Sequence, residues 1–234
     1  MRFLTLISVC LAAIAPGRAA ALEGEAEGRE IIERYLDASR AQQEALRGVQ
    51  MEVNLEAKLP RLEKHGKLRA LRRISKLGMI TYKALGFSGD NLVKNEVIAR
   101  YLAEESQNRD IAITPWNYKF KYKGRSISED RAVYVFQLTP RRKAVGLFHG
   151  ELWLDAETAM PVRESGRFVK SPSVFLKKIE FVREYVIQDG VAIPKHIVST
   201  ADVRMFGRAE LTVDYSNFSR QEIAEDTLPD PSNR

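Results

Sequence analysis

The sequence predicts a mainly β, α+β fold: an open, incomplete antiparallel β-barrel wrapped around helices. Three observations carry this expectation. The stretch VQMEVNLEAKL, residues 49–59, alternates apolar and polar side chains throughout, the mark of a strand with one buried face. From residue 109 onward, short apolar-rich segments follow one another with turn residues between them. Only two segments, about 25–47 and 90–106, carry helical spacing. A long meander of short-connected antiparallel strands curls, and apolar helix faces can fill its concave side.

In chain order, Met1-Arg2, the apolar run FLTLISVCLAAIA, Pro16-Gly17 and Ala19-Ala20-Ala21 have the layout of a secretory signal. The expectation is a signal peptide over 1–21, cut after Ala21, with the run too short to span a bilayer. In 25–47, Ile31, Ile32, Tyr35, Ala38, Ala45 and Leu46 gather near one helix face, and Gly48 ends it. After the strand at 49–59, residues 66–87 read as two strands meeting near Leu77-Gly78. Asp90 can cap a helix through NLVKNEVIARYLAEE. About eight strands follow: 109–113, WNYKFKYKG, DRAVYVFQLTP, VGLFHGELWLD, MPVRESGRFVK, LKKIEFVREYVI, VAIPKHIVSTAD and MFGRAELTVDYSNF. Gly124, Thr139-Pro140, Ala156-Glu157-Thr158, Pro172, Asp189-Gly190 and Gly207 mark the turns. Residues 22–220 therefore read as a single domain and 221–234 as a frayed tail.

The 234 residues are 44% hydrophobic, enough for one sizeable core. The formal net charge is +6. Loss of residues 1–21 would remove Arg2, Arg18 and the one cysteine, Cys10. An exported domain of this size without disulfides stands on its core alone, which suits a bacterial envelope protein.

The sequence offers little chemistry. His65, His149 and His196 lack metal-ligand spacing, and cysteine ligands are absent. There is no G-x-S-x-G, phosphate loop or dinucleotide fingerprint. Glu151, Asp155 and Glu157 lie close enough to suggest paired acids, but an Asp at a turn more often binds its own backbone. The expectation is no enzyme, no metal and no cofactor.

The sharpest charge feature is KLPRLEKHGKLRALRRISK, residues 58–76, with eight Lys or Arg and one Glu. If it is strand, Lys67, Arg69 and Arg73 share one side with Leu71, and Arg72 shares the other with Leu68, Ala70 and Ile74. The plain reading is a solvated face. The functional reading makes Lys67, Arg69, Arg72 and Arg73 a surface for anionic lipid headgroups. Export argues against nucleic acid.

A leader, a helix feeding a long alternating strand, an inserted helix and then a meander form the outline. The meander's most specific part holds Tyr134, Phe136, Leu138 and Pro140, then Gly150, Leu152-Trp153-Leu154-Asp155, Thr158 and Pro161-Val162-Arg163. In these features residues 25–220 resemble the LolA/LolB-like superfamily of envelope proteins. The resemblance implies an open barrel closed by helices, with an apolar cavity that takes acyl chains. It implies a periplasmic carrier that hands a lipid or lipoprotein on, with possible outer-membrane association and transient membrane or envelope-protein contact. The alternative is an RseB-like sensing module that binds a membrane-anchored regulator. A lipid site needs little beyond apolar walls and a charged mouth. Its candidates are Trp116, Tyr118, Phe120, Tyr134, Phe136, Leu138, Leu152, Trp153 and Leu154, whose plain reading is core and strand-pair residues.

Overall fold

A computed structural model of the protein describes residues 16–107 and 110–220. Most of the expected leader and the expected tail at 221–234 lie outside the described residues. The described residues open with helix α1 (Pro16–Ala45), which runs unbroken through the expected cut after Ala21. Strand β1 (Val49–Leu59) alternates as its sequence does, burying Val49, Met51, Val53, Leu55, Ala57 and Leu59. A 3-10 turn at Pro60–Leu62 leads to the hairpin of β2 (Lys64–Ile74) and β3 (Ile80–Gly89).

The second helical segment has three parts: α2 (Asn91–Val93), a π-helical stretch (Lys94–Ile98) and α3 (Ala99–Glu105). Asp90 caps it, its Oδ1 accepting from the Leu92 amide at 2.8 Å. Seven further strands complete the described residues: β4 (Tyr118–Ser128), β5 (Arg131–Pro140), β6 (Phe148–Asp155), β7 (Pro161–Phe168), β8 (Leu176–Gln188), β9 (Val191–Val203) and β10 (Gly207–Arg220).

All ten strands join one antiparallel sheet in the order β3-β2-β1-β10-β9-β8-β7-β6-β5-β4. The last strand pairs with the first, Leu55 opposite Val213, so the meander folds back on its own beginning. The two edges are β3 and β4. They are consecutive in the chain, and the connection between them carries the second helix. The expected open sheet with two helical segments is what forms.

Two details differ from the sequence reading. Residues 110–113 are loop. Asn117, fully buried, donates from Nδ2 to the Ala112 carbonyl at 3.0 Å and so holds this segment against the start of β4. Gly124 is also not a turn. It sits at φ +113° where the β4–β5 register slips, so it serves a bulge inside the strand. The turn itself comes at Glu129 and Asp130, both at positive φ.

The buried side chains fall into two groups. One joins β1, β2, β9 and β10 to Val93 and Ile98 of the second helical segment. The other joins Ile31 and Tyr35 of α1 to β4, β5, β6 and Phe181 of β8. Where the two groups meet, the concave face is incompletely filled.

Candidate functional site

Among the clefts that the incomplete filling leaves in the described residues, two adjoin along both helices, and a third, of about 260 Å³, borders the first at Leu176 and Val203. The first, about 250 Å³, lies between the second helix and β8–β10. Val97, Tyr101 and Ala103 are the apolar part of its helical side, beside the charged Glu96, Arg100, Glu104 and Glu105, and Leu176, Ile179, Phe181, Ile197, Val203 and Leu211 are the apolar part of its sheet side. Ile179 and Phe181 share one face because strands present every second side chain to it, and the register shift between Lys177 and Glu180 brings Leu176 to the same cleft. Pro172 and Ser173, between β7 and β8, also line it. Next to them Val174 (76% exposed), Phe175 and Met205 (77%) leave apolar side chains in water. The Arg204 amide donates to the Phe175 carbonyl at 2.7 Å and ties the two sides of this rim together.

The second cleft, about 320 Å³, lies under α1. Tyr35, Ser39 and Gln42 of α1 face Phe148, Glu164 and Tyr185 across it. Glu104, Glu105, Phe168, Pro172, Phe181 and Arg183 line both clefts, so the two adjoin at one shared wall.

That wall is polar. Glu164 and Arg183 are direct cross-strand partners on β7 and β8. Arg183 donates from Nη1 to Glu164 Oε2 at 3.1 Å, and the Tyr185 hydroxyl donates to Glu164 Oε1 at 2.8 Å. Both carboxylate oxygens of the buried Glu164 are thus engaged, as burial of a charge requires. Arg183 Nη2 approaches Glu105 of α3 at 3.8 Å, an ion pair that links helix to sheet. Burial works against the Arg183 charge, but Tyr185, Glu164 and Glu105 outweigh it and hold its pKa well above the ordinary value. Burial, reinforced by Glu164, pushes the Tyr35 and Tyr185 hydroxyls up, so both stay neutral. Tyr118, also pushed up by burial, reaches about 12.

None of the nine residues expected at a lipid cavity lines either cleft. Tyr118, Tyr134, Phe136, Leu138, Leu152 and Leu154 are packed core beneath α1, with Phe120 partly buried against them. Trp116 stands 76% exposed in the turn before β4. Trp153 alternates with Leu152 and Leu154 and so faces the outer side of the sheet. There its Nε1 donates to Glu151 at 3.0 Å and Arg163 lies 5.4 Å from the ring centre.

The basic stretch divides by strand parity. Lys67 and Arg69 point outward, Lys67 to Glu56 at 2.9 Å and Arg69 to Glu52 at 4.0 Å, and Arg73 is exposed on the same side. Arg72 does not belong to that surface. It is 8% exposed and turned into the core, donating from Nε to the Tyr82 hydroxyl at 3.3 Å.

The sequence reading missed Gln42, Glu105, Glu164 and Arg183. A signal existed for two of them. In β7 and β8, Glu164 and Arg183 occupy the same parity as Phe168 and Phe181, so a charge was placed where an apolar residue belongs. The carboxylates at 151, 155 and 157 form no paired-acid site: Asp155 Oδ1 accepts from the Glu157 and Thr158 amides and from Thr158 Oγ1. Among the described residues no group of three or more His, Cys, Asp or Glu could hold a metal ion. Among the same residues no helix is long and apolar enough to cross a membrane.

No family model matches the chain, and no curated protein does. Solved structures do resemble it. A DUF1329 family protein from Desulfovibrio piger is 12% identical, with a TM-score of 0.45, over 84% of this chain and 94% of that one. An outer membrane lipoprotein-sorting protein domain from Vibrio parahaemolyticus is 11% identical, with a TM-score of 0.45, over 87% and 95%. A LolA superfamily protein from Nitrosomonas europaea is 13% identical, with a TM-score of 0.43, over 84% and 94%.

Proposed function

We propose that this protein is an exported, non-enzymatic envelope module that takes an acyl chain of a lipid or lipoprotein into the cleft between its second helix and β8–β10, and releases it again without covalent chemistry. One observation carries the reading: the cleft is walled largely by apolar side chains from both helix and sheet, and the adjoining loops leave Val174, Phe175 and Met205 in water. Each methylene moved from water into such a space contributes about 0.8 kcal/mol. A modest length of chain therefore suffices for reversible binding. Exposed apolar side chains on the adjoining loops, Val174, Phe175 and Met205, offer an acyl chain a surface to meet before it enters. The secretory layout of residues 1–21 supports this reading, because export would bring such a module among lipids.

Two measurements test this. Organic extracts of the purified protein, analysed by mass spectrometry, should contain an acylated molecule that buffer controls lack. Ala201 of β9 lines the cleft and has room around it. Ala201→Trp should fill that space and weaken displacement of a fluorescent apolar probe by acylated ligands at least about tenfold. A folded Ala201→Trp variant, shown by circular dichroism, that binds as the parent does would refute the cleft as the acyl site.

A further inference from the structure

Two loops at one end of the sheet leave apolar side chains in water where neither core nor turn asks for them. The β7–β8 loop exposes Val174 and Phe175, and the β9–β10 turn exposes Met205. The Arg204 amide donates to the Phe175 carbonyl, and Phe175, Arg204 and Met205 line the third cleft together, so the two loops form one patch. Met205 holds φ +73° at the tip of its turn, a position that ordinarily takes glycine or asparagine. The turn therefore gains nothing from methionine there. The same loops are basic. Residues 170–178, KSPSVFLKK, hold three Lys and no acid, and residues 203–208, VRMFGR, hold two Arg and no acid. The flanking strands answer two of these cations, Lys178 with Asp202 at 3.7 Å and Arg208 with Glu210 at 3.4 Å. Lys170, Lys177 and Arg204 are exposed and make no ion pair among the described residues. Glu96, at the same cleft, is bound to Arg100 at 2.8 Å. The adjacent β1–β2 turn adds one charge of each sign, Arg61 and Glu63, and leaves the balance as it was.

We infer that these two loops dock the protein on a bilayer of anionic phospholipid. Val174, Phe175 and Met205 enter the headgroup layer, and Lys170, Lys177 and Arg204 face its phosphates. Apolar burial combined with attraction to anionic lipid is what holds a peripheral protein to such a surface. Each cation near an anionic leaflet strengthens association about fivefold. A stable protein partner would need a wider face, about 20–30 residues on each side, which two short loops do not supply. A membrane needs only a few projecting apolar side chains with cations around them, and that is the composition of this patch. Its place also matters: the third cleft, which the patch lines, shares Leu176 and Val203 with the first. A docked molecule thus holds the acyl cleft close to the lipid surface. The docking does not depend on the acyl-chain reading, because the patch can meet a membrane whether or not the cleft is filled.

Flotation with phospholipid vesicles tests this on the full-length chain, residues 1–21 being common to every variant. The vesicles hold either phosphatidylglycerol mixed with phosphatidylcholine, or phosphatidylcholine alone. The parent should float with the anionic vesicles, and less so as salt is raised, because screening shortens electrostatic reach. Lys170→Gln, Lys177→Gln and Arg204→Gln combined should weaken binding to the anionic vesicles about tenfold or more at low salt. Binding to phosphatidylcholine alone should not change. Val174→Asn with Met205→Asn should weaken binding to both kinds of vesicle about threefold or more. Asn suits the positive φ of residue 205, so the turn is kept. Leu77 and Met79, exposed in the β2–β3 turn at the opposite end of the sheet, provide the control. Leu77→Ser with Met79→Ser should bind as the parent does. Circular dichroism shows that each variant is folded. A parent that does not float with the anionic vesicles overturns the inference. So does a folded variant of either patch set that binds as the parent does, or an equal loss in the Leu77 and Met79 variant. Vesicle binding that follows the patch, with no acylated ligand displacing the fluorescent probe, removes only the acyl-chain reading and upholds the docking.

Discussion

Asp155 ends β6 at 4% exposure, and its Oδ1 gathers the Glu157 amide at 3.2 Å and the Thr158 amide and hydroxyl, each at 2.8 Å. Its other oxygen lies 3.5 Å from Arg131 Nη1. The carboxylate therefore stands in for the backbone carbonyls that a tight turn leaves without a reach. Asp155→Ala leaves these shielded donors without an acceptor and should cost about 1–3 kcal/mol, read as a shift in the urea midpoint at constant slope. A loss below about 0.5 kcal/mol would show that water replaces the side chain. This role was legible in the sequence, because an Asp between a strand and a Thr-containing turn has a local job that needs no tertiary information. For Trp153 alternation gives only its opposition to Leu152 and Leu154; the expectation that all three line one cavity fails because the leucines turn inward and Trp153 outward. The same parity separates Arg72 from Arg69 and Arg73. What parity cannot supply is which face curls around a helix, so the aromatics of β4 and β5 read equally as cavity wall or as core.

At the scale of elements, the strands were legible because their polarity alternates, and β1 does so without a break. The segment at 110–113 was misread because its pattern is too short to outweigh a side-chain hold that sequence does not announce, that of Asn117. Gly124 was misread because a bulge and a turn ask for the same residue. Two other glycines show a packing demand no pattern reveals. Gly150 on β6 faces Gly166 on β7. A Cβ added at Gly150 would lie 1.9 Å from the Ser165 carbonyl oxygen and 2.6 Å from the Gly166 Cα. Both neighbours are backbone, so no rotamer change relieves the contact. Gly150→Ala must therefore spread β6 from β7 in the middle of the sheet. It should lower stability by roughly 1–3 kcal/mol, the usual cost of overpacking, and speed hydrogen exchange at the β6–β7 amides. Thermal unfolding unchanged from the parent would mean the two strands stand further apart in solution. The β7 side of this pair also carries Glu164, so the variant should loosen the polar wall of the clefts.

For the molecule as a whole, the short turns of the meander were readable, but the closure of β1 onto β10 was not. That pairing joins residues more than 150 positions apart, and no local signal encodes it. The clefts follow from the closure. The sheet forms one curved surface with two core groups, one organised by each helix, and the space between them belongs to neither. Local sequence could name each helix and each strand but not the seam where they fail to meet. Closure makes β10 the element on which the rest depends. It lies between β1 and β9, bonded to both, and buries Ala209, Leu211 and Val213. Without it, β1 and β9 would each present a row of unpaired backbone groups, and the first core group would lose one of its walls. A chain ending at Phe206 should therefore show no cooperative thermal transition. A chain ending at Arg220 keeps β10 whole and removes only the stretch that the sequence marks as a tail, so its midpoint should match that of the full chain. Cooperative unfolding of the shorter chain near the parent midpoint would show that β1 and β9 can close the sheet by themselves. A lowered midpoint in the longer chain would show that residues 221–234 contribute to the domain.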